Sequence, residues 1–194
     1  MGSSGRALIV VDVQNDFCPG GSLPVPAGDE VVPVINRLVR SFEREGAPVF
    51  ASRDWHPART KHFKDFGGAW PPHCIKGSKG AKFHPKLSLP KGTIIISKGM
   101  NPEKDSYSAF QGESKNGKDL LSLLKKDNIK EVWVCGLATD YCVKSTALDA
   151  RKYGYDVALF LDGARSVDIN PGDCERAVLE MLSKGVRIVI GVDT

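Results

Sequence analysis

A thiol, an amine and two carboxylates in this sequence each stand at or just past an apolar run. Asp12 follows Ala7-Leu8-Ile9-Val10-Val11, Asp54 follows the run 47–53, Lys98 closes Ile94-Ile95-Ile96-Ser97, and Cys142 comes shortly after Val132-Trp133-Val134-Cys135. Those types together can run covalent hydrolysis. A carboxylate takes the thiol proton, an ammonium compensates the charge, and the sulfur attacks a carbonyl carbon. The chain is expected to turn at Gly136, and past that turn Val143, Ala147, Leu148 and Ala150 fall at helical spacing, so Cys142 is expected in the first turn of a helix. Free backbone N–H groups and the positive dipole end favour an anion there, which predicts a thiol of lowered pKa. The same amides can hold the oxyanion of a tetrahedral intermediate.

A second chemistry is written into Asp54-Trp55-His56. If the strand continues through it, both side chains share a face and can chelate one ion. His73, brought back by a proline-rich stretch, is the natural third ligand. Two histidines and one carboxylate with open positions suit zinc or iron(II); the bland alternative is a surface loop with incidental histidines. His62 and His84 read as structural or supporting residues. Among the other thiols, Cys135 reads as core, Cys174 lies on the last predicted helix and Cys74 follows the third ligand. Cys18 is the main rival to Cys142, because its loop leaves the same edge as Asp12. Phe17, Trp70 and Tyr107 also lie in loops; clustered at that edge they would enclose a flat ring, and otherwise they pack the loops down.

These residues need a scaffold that gathers them. Strands are predicted at 6–12, 47–53, 93–98, 132–135, 155–162 and 186–190, and helices at 29–46, 118–126, past Gly136 to 153, and 172–184. Strands alternating with helices predict a three-layer α/β fold, a six-stranded, mainly parallel sheet with helices on both faces. Ligands bind beyond the carboxyl ends of such strands, so the topology brings Asp12, Asp54, Lys98 and Cys142 to one edge. The stretch 54–92 is long and irregular and holds all four histidines, as functional loops do.

The chain of 194 residues, 41% hydrophobic and 26% charged, is expected to form a single domain over 1–194 with a metal-site insertion around 54–92. Its net charge of +4 comes from interleaved acids and bases, which argues against a nucleic-acid partner. No apolar run approaches the roughly 20 residues of a membrane helix, and the N-terminal residues lack the apolar centre of a signal peptide. Five scattered cysteines without a C-x-x-C pair point to the reducing cytoplasm.

Five segments carry a resemblance: IVVDVQNDFCPGG (9–21), SRDWHP (52–57), WPPHCIKG (70–77), KGMNPEKDSYSAF (98–110) and GLATDYCV (136–143). Together they resemble the cysteine hydrolases of the isochorismatase-like superfamily, and the fourth favours the nicotinamidases within it. Isochorismatase proper lacks the nucleophilic cysteine. The resemblance implies a triad of Asp12, Lys98 and Cys142, an oxyanion hole from the Ala138 and Cys142 amides after a cis Leu137–Ala138 peptide, and one divalent metal on Asp54, His56 and His73. It implies a ring site of Phe17, Trp70 and Tyr107. Some members add an acidic ligand between the second and third metal residues, for which Asp65 is the candidate. The implied reaction is nicotinamide hydrolysis to nicotinate and ammonia in NAD salvage, with pyrazinamide as a second substrate and a homo-oligomer left open. The nearest alternative is an amidohydrolase of ureido or carbamoyl compounds. From another class, a redox sensor would need a resolving cysteine near Cys142, where the sequence offers only Cys135.

Overall fold

Apolar side chains alternate between two faces along the central strands, and each face finds its own helical cover. In the computed structural model, which describes residues 5–191 of the domain expected over 1–194, the strands are β1 (Arg6–Val11), β2 (Val49–Asp54), β3 (Ile94–Lys98), β4 (Glu113–Ser114), β5 (Glu131–Leu137), β6 (Asp156–Arg165) and β7 (Arg187–Val189). They form one sheet in the order β4-β3-β2-β1-β5-β6-β7. Every pairing is parallel except β3 with β4. The seventh strand, β4, goes beyond the six expected. With two residues inside a Pro/Gly/Ser-rich loop, it is too short to carry an alternating pattern.

Leu8 and Val10 of β1 pack with α1 (Val31–Arg44), whose buried Val31, Val32, Ile35, Leu38, Val39 and Phe42 form its inner face. Ala7, Ile9 and Val11 face the other way, toward α2 (Leu120–Lys126), α3 (Lys144–Lys152) and α4 (Asp173–Ser183). Pro33 is the third residue of α1, where its missing N–H costs no intrahelical bond. The long stretch after β2 contains one short 3-10 turn (Lys64–Phe66) and is tied down by isolated bridges, Gln14 with Phe83, His56 with Ile75 and Phe63 with Trp70. Among the described residues, no helix is long and apolar enough to cross a membrane.

The sheet grows from β1 in both directions, through β2 and β3 on one side and β5 to β7 on the other. The strand order therefore reverses between β1 and β5, where a crevice opens beyond the carboxyl ends. Asp12 follows β1 at that point and Cys142 follows β5.

Gly136 is a correction to the expected turn, because it lies within β5. Its φ is +118°, and a Cβ built there would be 2.0 Å from the Val11 carbonyl oxygen. The glycine is needed for the close approach of β1. Gly136→Ala combines backbone strain with a main-chain clash, so we expect a loss of about 3 kcal/mol or more. A urea-unfolding midpoint indistinguishable from wild type would contradict that.

Candidate active site

Beyond β5 the chain first makes a π-helical turn, Thr139–Val143, and only then enters α3. Val143 N–H donates back to the Ala138 carbonyl at 3.1 Å, and the wider turn carries Cys142. The Leu137–Ala138 peptide is cis. Across the crevice, Asp12 has φ +50°, a region that penalises residues other than glycine and is seen at functional sites. The Ser52 hydroxyl, from β2, donates to Asp12 Oδ1 at 2.7 Å.

Lys98 ends β3 in register with Asp54 at the end of β2. Its ammonium lies 2.9 Å from Asp12 Oδ2 and 2.5 Å from Asp54 Oδ1. It also donates to the Ser106 carbonyl at 3.2 Å and to Cys142 Sγ at 3.4 Å. Ligand atoms of Asp12, Asp54 and Cys142 all fall within 4.8 Å of one another. One buried cation thus joins two buried carboxylates and a thiol.

Burial alone would lower the Lys98 pKa, but Asp12 and Asp54 overcome it and hold the ammonium well above the ordinary lysine value. Burial works to raise Asp54, yet the Lys98 ammonium beside it keeps it well below the usual carboxylate range. Asp12 is raised by burial, with Lys98 opposing and Asp54 adding. Cys142 is also pushed well up, by burial first, with Lys98 opposing and Asp12 and Asp54 adding. This corrects the expected low-pKa thiol: removal from water outweighs the favourable end of the turn. The resting sulfur keeps its proton beside a carboxylate of raised proton affinity.

The rival thiols are elsewhere. Burial, with Asp29 adding, pushes Cys18 up to about 11, and it lines a separate depression with Asn15, Asp16 and His84. Burial also raises Cys74 and Cys135. Cys174, on α4, borders another depression with Arg37 and Arg165.

The metal-ligand types converge beside Lys98. Ligand atoms of His56, His62 and His73 lie within 4.8 Å of one another. Asp54 Oδ2 is 3.7 Å from His56 Nε2 and 3.8 Å from His73 Nε2. The Nδ1 atoms of His56, His73 and His62 face the Gly99 carbonyl (3.0 Å), the Pro71 carbonyl (2.8 Å) and Asp105 Oδ1 (2.6 Å). Those oxygens can only accept, so each Nδ1 carries the proton and each Nε2 is left with a lone pair. His56 Nε2 is buried without a hydrogen-bond partner. Nitrogen donors oriented in this way beside a carboxylate fit a divalent ion.

His62, expected as a structural or supporting residue, has a ligand atom within this donor cluster, with its ring stacked 4.6 Å from His56. Asp65, the candidate additional ligand, is exposed in the turn Lys64–Phe66 and is absent from the cluster. His84 lies outside it too, accepting from Lys86 N–H at 3.3 Å. No spacing rule marked His62, because only the fold-back of the loop sets its direction; its membership of the histidine-rich stretch was the available signal.

A small, mainly apolar cleft connects the two clusters. Phe17, Trp70 and Tyr107 line it beside Ala138, Cys142, Asp54, His62 and His73. Trp70 Nε1–H donates to the Tyr107 hydroxyl at 2.9 Å, and the Trp70 ring meets Tyr141 edge-on at 5.0 Å. Tyr141, Leu23, Val25 and Val167 are wall residues that the sequence did not single out. Asp140 anchors the Val167 side by accepting from Val167 and Asp168 N–H at 3.1 and 2.8 Å.

Comparison with known proteins places residues 6–194 in a match to the isochorismatase domain. The nicotinamidase of Escherichia coli (strain K12) is 43% identical, over 94% of this chain and 93% of that protein. The nicotinamidase/pyrazinamidase of Mycobacterium tuberculosis is 37% identical, over 95% of this chain and 98% of its own length. A crystal structure of the pyrazinamidase of Pyrococcus horikoshii in complex with zinc superposes with a TM-score of 0.89 at 45% identity, covering 96% of this chain and 99% of that one.

Proposed function

The chain belongs to the isochorismatase-domain family, and we propose from that premise that it is a nicotinamidase, hydrolysing nicotinamide to nicotinate and ammonia in NAD salvage. The observation that carries the mechanism is the buried Lys98 ammonium, 2.9 Å from Asp12 and 3.4 Å from Cys142 Sγ, a sulfur that lines the cleft beside Phe17, Trp70 and Tyr107.

Asp12 is the general base and acid, Cys142 the nucleophile and Lys98 the fixed countercharge. Asp12 takes the proton from Sγ as sulfur bonds to the carboxamide carbon, and the carbonyl π electrons move to oxygen. The backbone N–H groups of Ala138 and Cys142 donate hydrogen bonds to that oxyanion. Its collapse breaks the C–N bond; the departing nitrogen takes the proton from Asp12 and leaves as ammonia. Water, giving a proton to Asp12, then attacks the thioester carbon. The C–S bond breaks, sulfur recovers its proton from Asp12, and the product acid leaves and gives its remaining proton to solvent as nicotinate. The raised pKa values of Asp12 and Cys142 support this shuttle, because each can hold the proton in turn.

Asp54, His56, His62 and His73 would hold one divalent ion, zinc or iron(II). When bound it supplies a Lewis acid for the pyridine nitrogen. Phe17, Trp70 and Tyr107 enclose the ring and exclude bulk water. The five free cysteines support a reducing cytoplasmic setting.

The test is ammonia and nicotinate release from nicotinamide by zinc- or iron-loaded protein. Pyrazinamide, a ring amide of similar shape, is expected to be turned over and ureido compounds are not. Chelation should abolish turnover and re-addition of zinc or iron(II) should restore it. Absence of ammonia release from metal-loaded protein would refute the assignment.

A further inference from the structure

The three histidines of the donor cluster are tethered in two different ways. His56 and His73 are held by backbone carbonyls, of Gly99 and Pro71, whereas His62 is held by a side chain, Asp105, from another loop. The segment carrying His62 lies along the segment carrying Asp105. Lys61 N–H and the Thr60 hydroxyl both donate to the Pro102 carbonyl, at 2.8 and 3.2 Å. Lys61 Nζ pairs with Glu103 at 2.5 Å. This registration sets Asp105 opposite the His62 ring, with Oδ1 2.6 Å from Nδ1. The His62 side chain is 5% exposed while that of Asp105 is 56% exposed, so a carboxylate reaches in from the surface to grip a buried ring.

We propose that Asp105 is a positioning residue for the metal set, acting through His62. The inference rests on the metal-holding role given above and adds the group that makes His62 a competent donor. A carboxylate on Nδ1–H fixes the tautomer, aims Nε2 and raises the basicity of the ring, as partners of ligating histidines do elsewhere. Ring stacking against His56 restrains the plane of His62 but does not choose between the two ring orientations related by a half-turn about Cβ–Cγ; the Asp105 bond to Nδ1 selects one of them. The same loop also supplies the Ser106 carbonyl to Lys98 and the Tyr107 hydroxyl to Trp70. One segment thereby serves the countercharge, the ring wall and the donor cluster.

Zinc affinity, measured by competition with a chromophoric chelator, tests this independently of turnover. Asp105→Ala is expected to weaken zinc binding about 10- to 100-fold. Asp105→Asn, whose carbonyl oxygen still accepts from Nδ1–H, should lie between that variant and wild type. In a His62→Ala background, Asp105→Ala should add no further loss. Because the carboxylate is half in water, the metal-free variants should melt close to the metal-free parent. Wild-type zinc affinity in Asp105→Ala, or an equal loss whether His62 is present or absent, would overturn the proposal. Failure of the unsubstituted protein to bind zinc or iron(II) would overturn the metal assignment itself, and the Asp105 role with it.

Discussion

Cys142→Ala is expected to lower kcat for nicotinamide by roughly four to six orders of magnitude, the scale on which covalent hydrolases lose activity with their nucleophile. Ring binding should survive, because the wall residues Phe17, Trp70 and Tyr107 are untouched. The protein should also fold as before. Cys142 is 8% exposed, and deleting one sulfur beside the cleft costs little compared with emptying a large core side chain. Wild-type enzyme quenched during turnover should carry a nicotinoyl group on Cys142 by mass spectrometry, and the alanine variant none. Substantial turnover by that variant would pass the nucleophile role to another group. The other thiols are poor substitutes: Cys18 lies in a different depression, and Cys74 and Cys135 are fully buried.

The elements that put Cys142 there differed in legibility. Long apolar strands such as β1 and β5 announce themselves by composition, and α1 by the spacing of Val31, Ile35, Leu38, Val39 and Phe42. Their parallel order then brings Asp12, Lys98 and Cys142 together without any distance being known. What stayed hidden depends on contacts between distant segments. Gly136 resembles a turn glycine until β1 is seen paired directly alongside it, with Val11 in register. The π turn at Thr139–Val143 has the apolar spacing of an ordinary helix start. The direction of the thiol shift was misread because a local rule, favouring an anion near helix amides, was applied without the burial that outweighs it. His62 was read only as structural or supporting for a similar reason: its ring is held by Asp105, which is 43 positions away.

Lys98→Met is expected to be the most destabilising substitution at the site, by about 3–5 kcal/mol, because breaking a buried ion pair strands its partners. Methionine nearly preserves the volume and the apolar stem, so the loss reports charge. Asp12 and Asp54 would remain buried, close together and without the ammonium between them. The pH dependence follows from Asp12, whose pKa is already raised above 3.8 in the native protein, and it rises further once Lys98 no longer opposes burial. A native carboxyl with raised pKa contributes stability that is complete below its unfolded value, near 3.9, and is lost as pH climbs through the native value. The deficit of Lys98→Met relative to wild type should therefore widen from pH 5 to pH 8 in urea-unfolding experiments. Adding Asp12→Asn should recover part of it at pH 8, since one stranded charge disappears, although activity stays absent. A constant deficit across that range, with no recovery in the double variant, would mean that Lys98 stabilises the site by packing, and the countercharge role would have to be abandoned.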